Sequence, residues 1–91
     1  MFARRYFVSG DVQGVGFRYF VVREISRIGP IQGFVRNLRD GRVEVYAEAE
    51  HKHLQELEAT LKRGPRSSRV ERVEVFEETP EQNYRDFHVK F

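Results

Sequence analysis

Apolar and polar positions along this chain change period several times, and each change marks an element. From Arg4 to Gly10 they alternate, with Tyr6 and Val8 on one face and Phe7 on the other, the pattern of a strand covered on one side. Phe17, Val21, Ile25 and Ile28 then recur at steps of four, four and three, a single apolar stripe on a helix. Gly29-Pro30 ends that helix with a C-terminal stop followed by a breaker. A second strand is predicted over Gly33–Leu38. Asp40-Gly41 signals a hairpin, after which Arg42–Ala49 alternates again with Val43, Val45 and Ala47 on one face. Leu54, Leu57 and Leu61 place a second helix ending near Gly64-Pro65. A strand over Val70–Glu77 turns Val73 and Val75 inward, Thr79–Asn83 is a loop, and Asp86–Phe91 is apolar enough for a last short strand.

The order is therefore βαββαβ with a short strand added. It predicts an α+β ferredoxin-like sandwich, an antiparallel or mixed sheet of four to five strands with two helices on one face. The 91 residues form one domain, 1–91, with no internal repeat and no low-complexity segment. A right-handed crossover returns the second strand parallel to the first, so both end at the same edge of the sheet. Asn37 shares the parity of Val35, and if Val35 faces the helices Asn37 emerges beside the start of the first helix.

At that edge lies the most informative stretch, Asp11-Val12-Gln13-Gly14-Val15-Gly16-Phe17-Arg18. Strand, glycine-bearing loop, helix start and an arginine in the first turn make an oxyanion cradle. The glycines let successive N–H groups converge, the helix N-terminus adds unsatisfied donors, and Arg18 adds a planar charged fork. No Lys-Ser/Thr pair follows the glycines, so this is not a nucleotide P-loop. Tyr19 occupies the third glycine's place of a dinucleotide fingerprint. Residue chemistry alone leaves two readings open, a small-anion site, or a tight strand-to-helix turn with Arg18 covering a helix end.

Composition narrows the classes. No apolar stretch approaches the ~20 residues that cross a bilayer, and no signal-peptide pattern opens the chain. Cysteine is absent, which excludes disulfides, thiolate chemistry and cysteine metal sites. An intracellular, cytoplasmic protein without a membrane partner is expected. The net charge of +2 mildly favours anionic partners. Arg36, Arg39 and Arg42 cluster at one turn, but Glu44, Glu48 and Glu50 follow at once, and a nucleic-acid partner is not expected.

Gly10-Asp11-Val12-Gln13-Gly14-Val15-Gly16-Phe17-Arg18, with Gly33-Phe34-Val35-Arg36-Asn37 and Asp40-Gly41-Arg42-Val43-Glu44 downstream, closely resembles the acylphosphatase family. Gly64-Pro65, Ser68-Arg69-Val70 and Phe87-His88-Val89 extend the resemblance over nearly the whole chain. It implies a ferredoxin-like fold and hydrolysis of the carboxyl–phosphate bond of acyl phosphates, with no metal and no cofactor. The substrate is a small acyl phosphate or an acylphosphorylated protein, and inorganic phosphate is a product. By the same resemblance Arg18 is the phosphate-binding catalytic arginine and Asn37 orients the attacking water. Backbone N–H groups of Gln13, Gly14, Val15, Gly16, Phe17 and Arg18 hold the phosphate, and the water's proton passes to the phosphate itself.

Three departures from the family accompany this. Asp11 stands where relatives carry a basic residue, and a carboxylate about 8 Å from a bound phosphate, at an effective dielectric of about 40, opposes binding by about 1 kcal/mol. The Gly29–Gly33 connection is one residue longer than usual, at the edge away from the loop, where tolerance is expected. Phe34 replaces a tryptophan. Two further readings stand beside the hydrolase. One is an acylphosphatase-like domain that binds carbamoyl phosphate or a similar anion for a carbamoyl-transfer partner, against which the chain shows no fusion. The other is a ferredoxin-like nucleic-acid module stacking bases on Tyr6, Phe7, Phe34 and Tyr46, whose parity is expected not to align on one face. His51 and His53 are expected to decorate the second helix's start, with no third metal ligand evident. Glu24 is expected to be a solvated or capping carboxylate rather than a base.

Overall fold

The computed structural model describes the whole chain, Met1–Phe91. Its elements are β1 (Phe2–Asp11), α1 (Phe17–Ile28), β2 (Gln32–Asn37), β3 (Val43–Ala49), α2 (His51–Arg63), β4 (Arg69–Glu78) and β5 (Phe87–Val89). They form one five-stranded sheet in the order β4-β1-β3-β2-β5. β1 pairs antiparallel with β3 and β4, β3 antiparallel with β2, and β5 parallel with β2, so β1 and β2 point the same way. This is the ferredoxin-like α+β arrangement expected from the element order.

The alternation in the strands decides what is buried. Tyr6, Val8, Val35, Val43, Val45 and Ala47 turn to the helices and meet Phe17, Val21 and Ile25 from α1 and Leu54, Leu57 and Leu61 from α2 in one core. Each fully buried Leu or Val there contributes roughly 1.5–3 kcal/mol relative to an exposed one. Tyr6 belongs to this layer because its hydroxyl donates to the Leu54 carbonyl at 2.9 Å, and burial pushes its pKa up to about 12. The hairpin turn closes as Asp40-Gly41 requires. Leu38 N–H donates to the Arg42 carbonyl at 2.8 Å, and Asp40 Oδ1 accepts from the Arg42 N–H at 3.1 Å.

On the other face of the sheet the four aromatics do not all align, as their parity predicts. Phe34 and Tyr46 lie directly opposite each other in register and stack with ring centroids 5.9 Å apart. Phe7 shares that face, whereas Tyr6 does not. The rings are not an open platform, because the segment after β4 folds over them. Tyr84 packs on Phe34 and Tyr46, and the Glu81 and Gln82 N–H groups donate to the buried Glu48 carboxylate at 2.7 and 3.0 Å.

Candidate active site

β1 ends at Asp11 and the chain crosses to α1 through residues 12–16 at the edge where β2 also ends. Gly14 (φ 74°) and Gly16 (φ 77°) both take left-handed backbone, which costs a residue with a Cβ about 1–2 kcal/mol. Gly16 caps α1 without any side-chain hydrogen bond, so the first-turn donors are not occupied by a capping residue. None of the backbone N–H groups from Gln13 to Tyr19 donates to another backbone carbonyl. A run of unspent donors at a helix N-terminus is an anion cradle.

Two side-chain contacts fix the cradle from opposite sides. Gln13 Nε2 donates to the carbonyls of Leu38 (2.7 Å) and Arg42 (2.9 Å), tying the loop to the β2–β3 turn. Ser67 Oγ donates to the Val15 carbonyl at 2.8 Å, tying it to the α2–β4 connection. The loop is thereby held open over a cavity of about 80 Å³ lined by Val12, Gly14, Gly16, Phe17, Arg18, Tyr19 and Asn37. That volume suits a single small anion or one or two waters.

Arg18 lines this cavity and forms no salt bridge; its guanidinium lies over the Phe91 ring, 5.0 Å from the centroid. Asn37 arrives from β2 on the helix side, as its parity with the buried Val35 requires. Its carboxamide oxygen is buried and accepts no hydrogen bond within the chain. A buried acceptor of that kind costs about 1–3 kcal/mol unless something else donates to it.

Of the residues singled out from sequence, Gly14, Gly16, Phe17, Arg18 and Asn37 converge on the cavity. Gln13 and Val15 do not line it, since their contacts point outward to the turn and to Ser67. Val12 and Tyr19 do line it, and sequence reasoning missed them; Val12 reads as core, which it also is. Asp11 is exposed at the strand end opposite Arg69 and is not part of the lining.

Glu24 is neither solvated nor a cap. It is buried and bonded to Arg27 at 2.6 Å and to Arg63 of α2 at 3.3 Å, with Arg23 at 4.0 Å. The Arg27 hydrogen bond, against the cost of burial, holds its carboxyl below the usual carboxylate range. His51 and His53 start α2 as expected and part company there, His51 packing edge-on to Phe2 at 5.6 Å and His53 lying against Gly29.

Comparison with known proteins shows what the chain is similar to. The family model described as Acylphosphatase matches residues 4–89. An acylphosphatase of Koribacter versatilis is 49% identical over 87 residues, covering 96% of this chain and 78% of that one. The crystal structure of acylphosphatase from Bacillus subtilis superposes with a TM-score of 0.94 at 37% identity, covering 100% of both chains. The crystal structure of full-length HypF in the phosphate- and nucleotide-bound form superposes with a TM-score of 0.84 at 27% identity, covering 99% of this chain and 12% of that one.

Proposed function

The chain belongs to the acylphosphatase family, and from that premise we propose that the residue 12–18 loop, Arg18 and Asn37 together hydrolyse the carboxyl–phosphate bond of acyl phosphates. The observation that carries the assignment of roles is the unpartnered, buried carboxamide oxygen of Asn37 in the wall of the cavity that Arg18 and the loop share.

The chemistry needs little more. Phosphoryl transfer demands placement and stabilisation of charge on the equatorial oxygens. Loop N–H groups take up those oxygens, and Arg18, unpaired in the protein, supplies the bidentate positive fork. Asn37 accepts a hydrogen bond from a water and sets it in line with the scissile bond. Water oxygen bonds to phosphorus as the bond from phosphorus to the acyl oxygen breaks. The electron pair leaves on the carboxylate, and the water's proton passes to a phosphate oxygen. A carboxylate is a weakly basic leaving group, so no general acid is required, and the positive charge is already provided without a metal. The products are a carboxylate and inorganic phosphate.

The test is hydrolysis of benzoyl phosphate in the presence of a chelator by the wild-type protein and by Arg18→Gln. Turnover by the wild type and its loss in the variant are expected; no turnover by the wild type overturns the reading.

A further inference from the structure

A second basic feature adjoins the cradle and takes no part in it. A groove of about 520 Å³ runs between α1 and the α2–β4 connection, with Phe20 as its apolar wall and Arg23, Arg63 and Arg66 around it. No carboxylate lines it. Arg23 and Arg63 both lie over the Phe20 ring, at 5.7 and 6.0 Å from its centre. The nearest acid, Glu24, spends its charge on Arg27 first and reaches Arg63 and Arg23 only at 3.3 and 4.0 Å. Arg66 is exposed and forms no ion pair. Three guanidinium groups beside one shared carboxylate leave an uncompensated positive field in this groove.

Its position gives that field a use. The phosphate loop follows β1, with β3 and β2 on one side of that strand and β4 on the other. Asn37 comes from β2. The groove belongs to residues leading into β4 and is joined to the loop by the Ser67–Val15 hydrogen bond. In-line displacement puts the attacking water and the leaving oxygen on opposite sides of phosphorus. With the water on the Asn37 side, the acyl group departs toward Arg63–Ser68, and the groove begins one helical turn from the cradle, where Phe20 follows Phe17.

We propose that the groove formed by Phe20, Arg23, Arg63 and Arg66 is the acyl-group subsite, selecting acyl phosphates whose acyl portion carries a second anionic group. The subsite rests on the hydrolase reading above. The cradle supplies catalysis to any acyl phosphate; the groove supplies preference among them.

The experiment compares kcat/KM for benzoyl phosphate and 4-carboxybenzoyl phosphate, which differ in the charge at the far end of one rigid ring. Wild type favours the carboxylated substrate, and raising the salt concentration erodes that preference, since exposed charges are screened over about 10 Å at 0.1 M. Arg66→Glu, at an exposed residue without structural partners, lowers the ratio of the two values about tenfold by exchanging an attraction for a repulsion. Benzoyl phosphate, which lacks the second anionic group, serves as the reference for turnover in each variant. Arg23→Gln lowers the ratio by a few fold in the same direction. Equal ratios in wild type and Arg66→Glu, with benzoyl phosphate turned over normally, overturn the subsite and leave the hydrolase reading standing. Absence of turnover on both substrates overturns both.

Discussion

The side-chain amide of Gln13 donates to the Leu38 carbonyl at 2.7 Å, and through the same nitrogen to Arg42 at 2.9 Å. Leu38 directly follows Asn37, so this one amide ties the glycine loop to the residue proposed to hold the water. Gln13→Ala removes one of two donors from each carbonyl, since Gly41 N–H still donates to Leu38 and Leu38 N–H to Arg42, and the two lost hydrogen bonds are expected to destabilise the fold by about 1–2 kcal/mol. Its effect on turnover is expected to be larger than that loss implies, since a displacement of about 1 Å between reacting groups costs up to about 100-fold. Denaturant unfolding and kcat on benzoyl phosphate, measured on the same preparation, check the two parts separately.

In the proposed mechanism Arg18 and Asn37 divide the work between charge and placement. Arg18→Lys loses the bidentate fork and is expected to lower kcat/KM about 100- to 1000-fold and to weaken inhibition by inorganic phosphate. Asn37→Ala is expected to lower kcat by a similar factor while inhibition by phosphate stays nearly intact. Its stability should stay near that of wild type, because no group of the chain donates to the Asn37 oxygen and the variant breaks no hydrogen bond to it. Loss of phosphate inhibition in Asn37→Ala with the fold unchanged would remove the water-positioning role.

The convergence of Arg18 and Asn37 on one cavity was legible in the sequence because it depends on local rules. Glycine spacing and helix-start chemistry predict the cradle, and strand parity with a right-handed crossover brings Asn37 to the same edge. What the sequence concealed has the opposite origin. Glu24 reads as a surface carboxylate because its partner Arg63 lies 39 positions away on another helix. The open face of the sheet reads as exposed because its cover, residues 79–86, has no periodicity and its anchor, Glu48, is 33 positions from Glu81. Gln13 and Val15 lie outside the lining of the cavity, and the tertiary contacts of the Gln13 side chain and the Val15 carbonyl, to the β2–β3 turn and to Ser67, have no local signal in the sequence.

Glu24 makes the fold's stability depend on pH in a predictable direction. Its carboxyl, hydrogen-bonded to Arg27 and attracted by Arg63 and Arg23, titrates below the ordinary 4.5. The unfolded chain therefore binds a proton more readily than the folded one, and stability falls as pH drops through that range. The contribution is fully present above about pH 5 and absent below the folded value. Glu24→Gln should unfold at a lower denaturant midpoint than wild type at pH 7, with the gap closing as pH is lowered below 4.5. A gap independent of pH would mean that the ion pairs carry none of it.

Glycines at two ends of the molecule separate function from folding. At Gly33 (φ 143°) an added Cβ would stand 1.9 Å from the Tyr46 carbonyl oxygen in the neighbouring strand, and neither backbone can yield without breaking the β2–β3 ladder. Gly33→Ala is therefore expected to cost more than about 3 kcal/mol, combining backbone strain with a clash in a packed region, and to reduce soluble yield. At Gly14 and Gly16 an added Cβ meets nothing within 4 Å. There the cost to the fold is the left-handed backbone alone, about 1 kcal/mol each, and Asn at either position should lower it further because it tolerates that conformation. Yet both glycines line the cavity, and a methyl group there is expected to obstruct an anion held by the loop N–H groups. Gly14→Ala and Gly16→Ala should keep a cooperative unfolding transition and lose phosphate inhibition and turnover together, whereas Gly33→Ala should lose the transition itself. If Gly16→Ala remained fully active, the loop would be a strand-to-helix turn and no more.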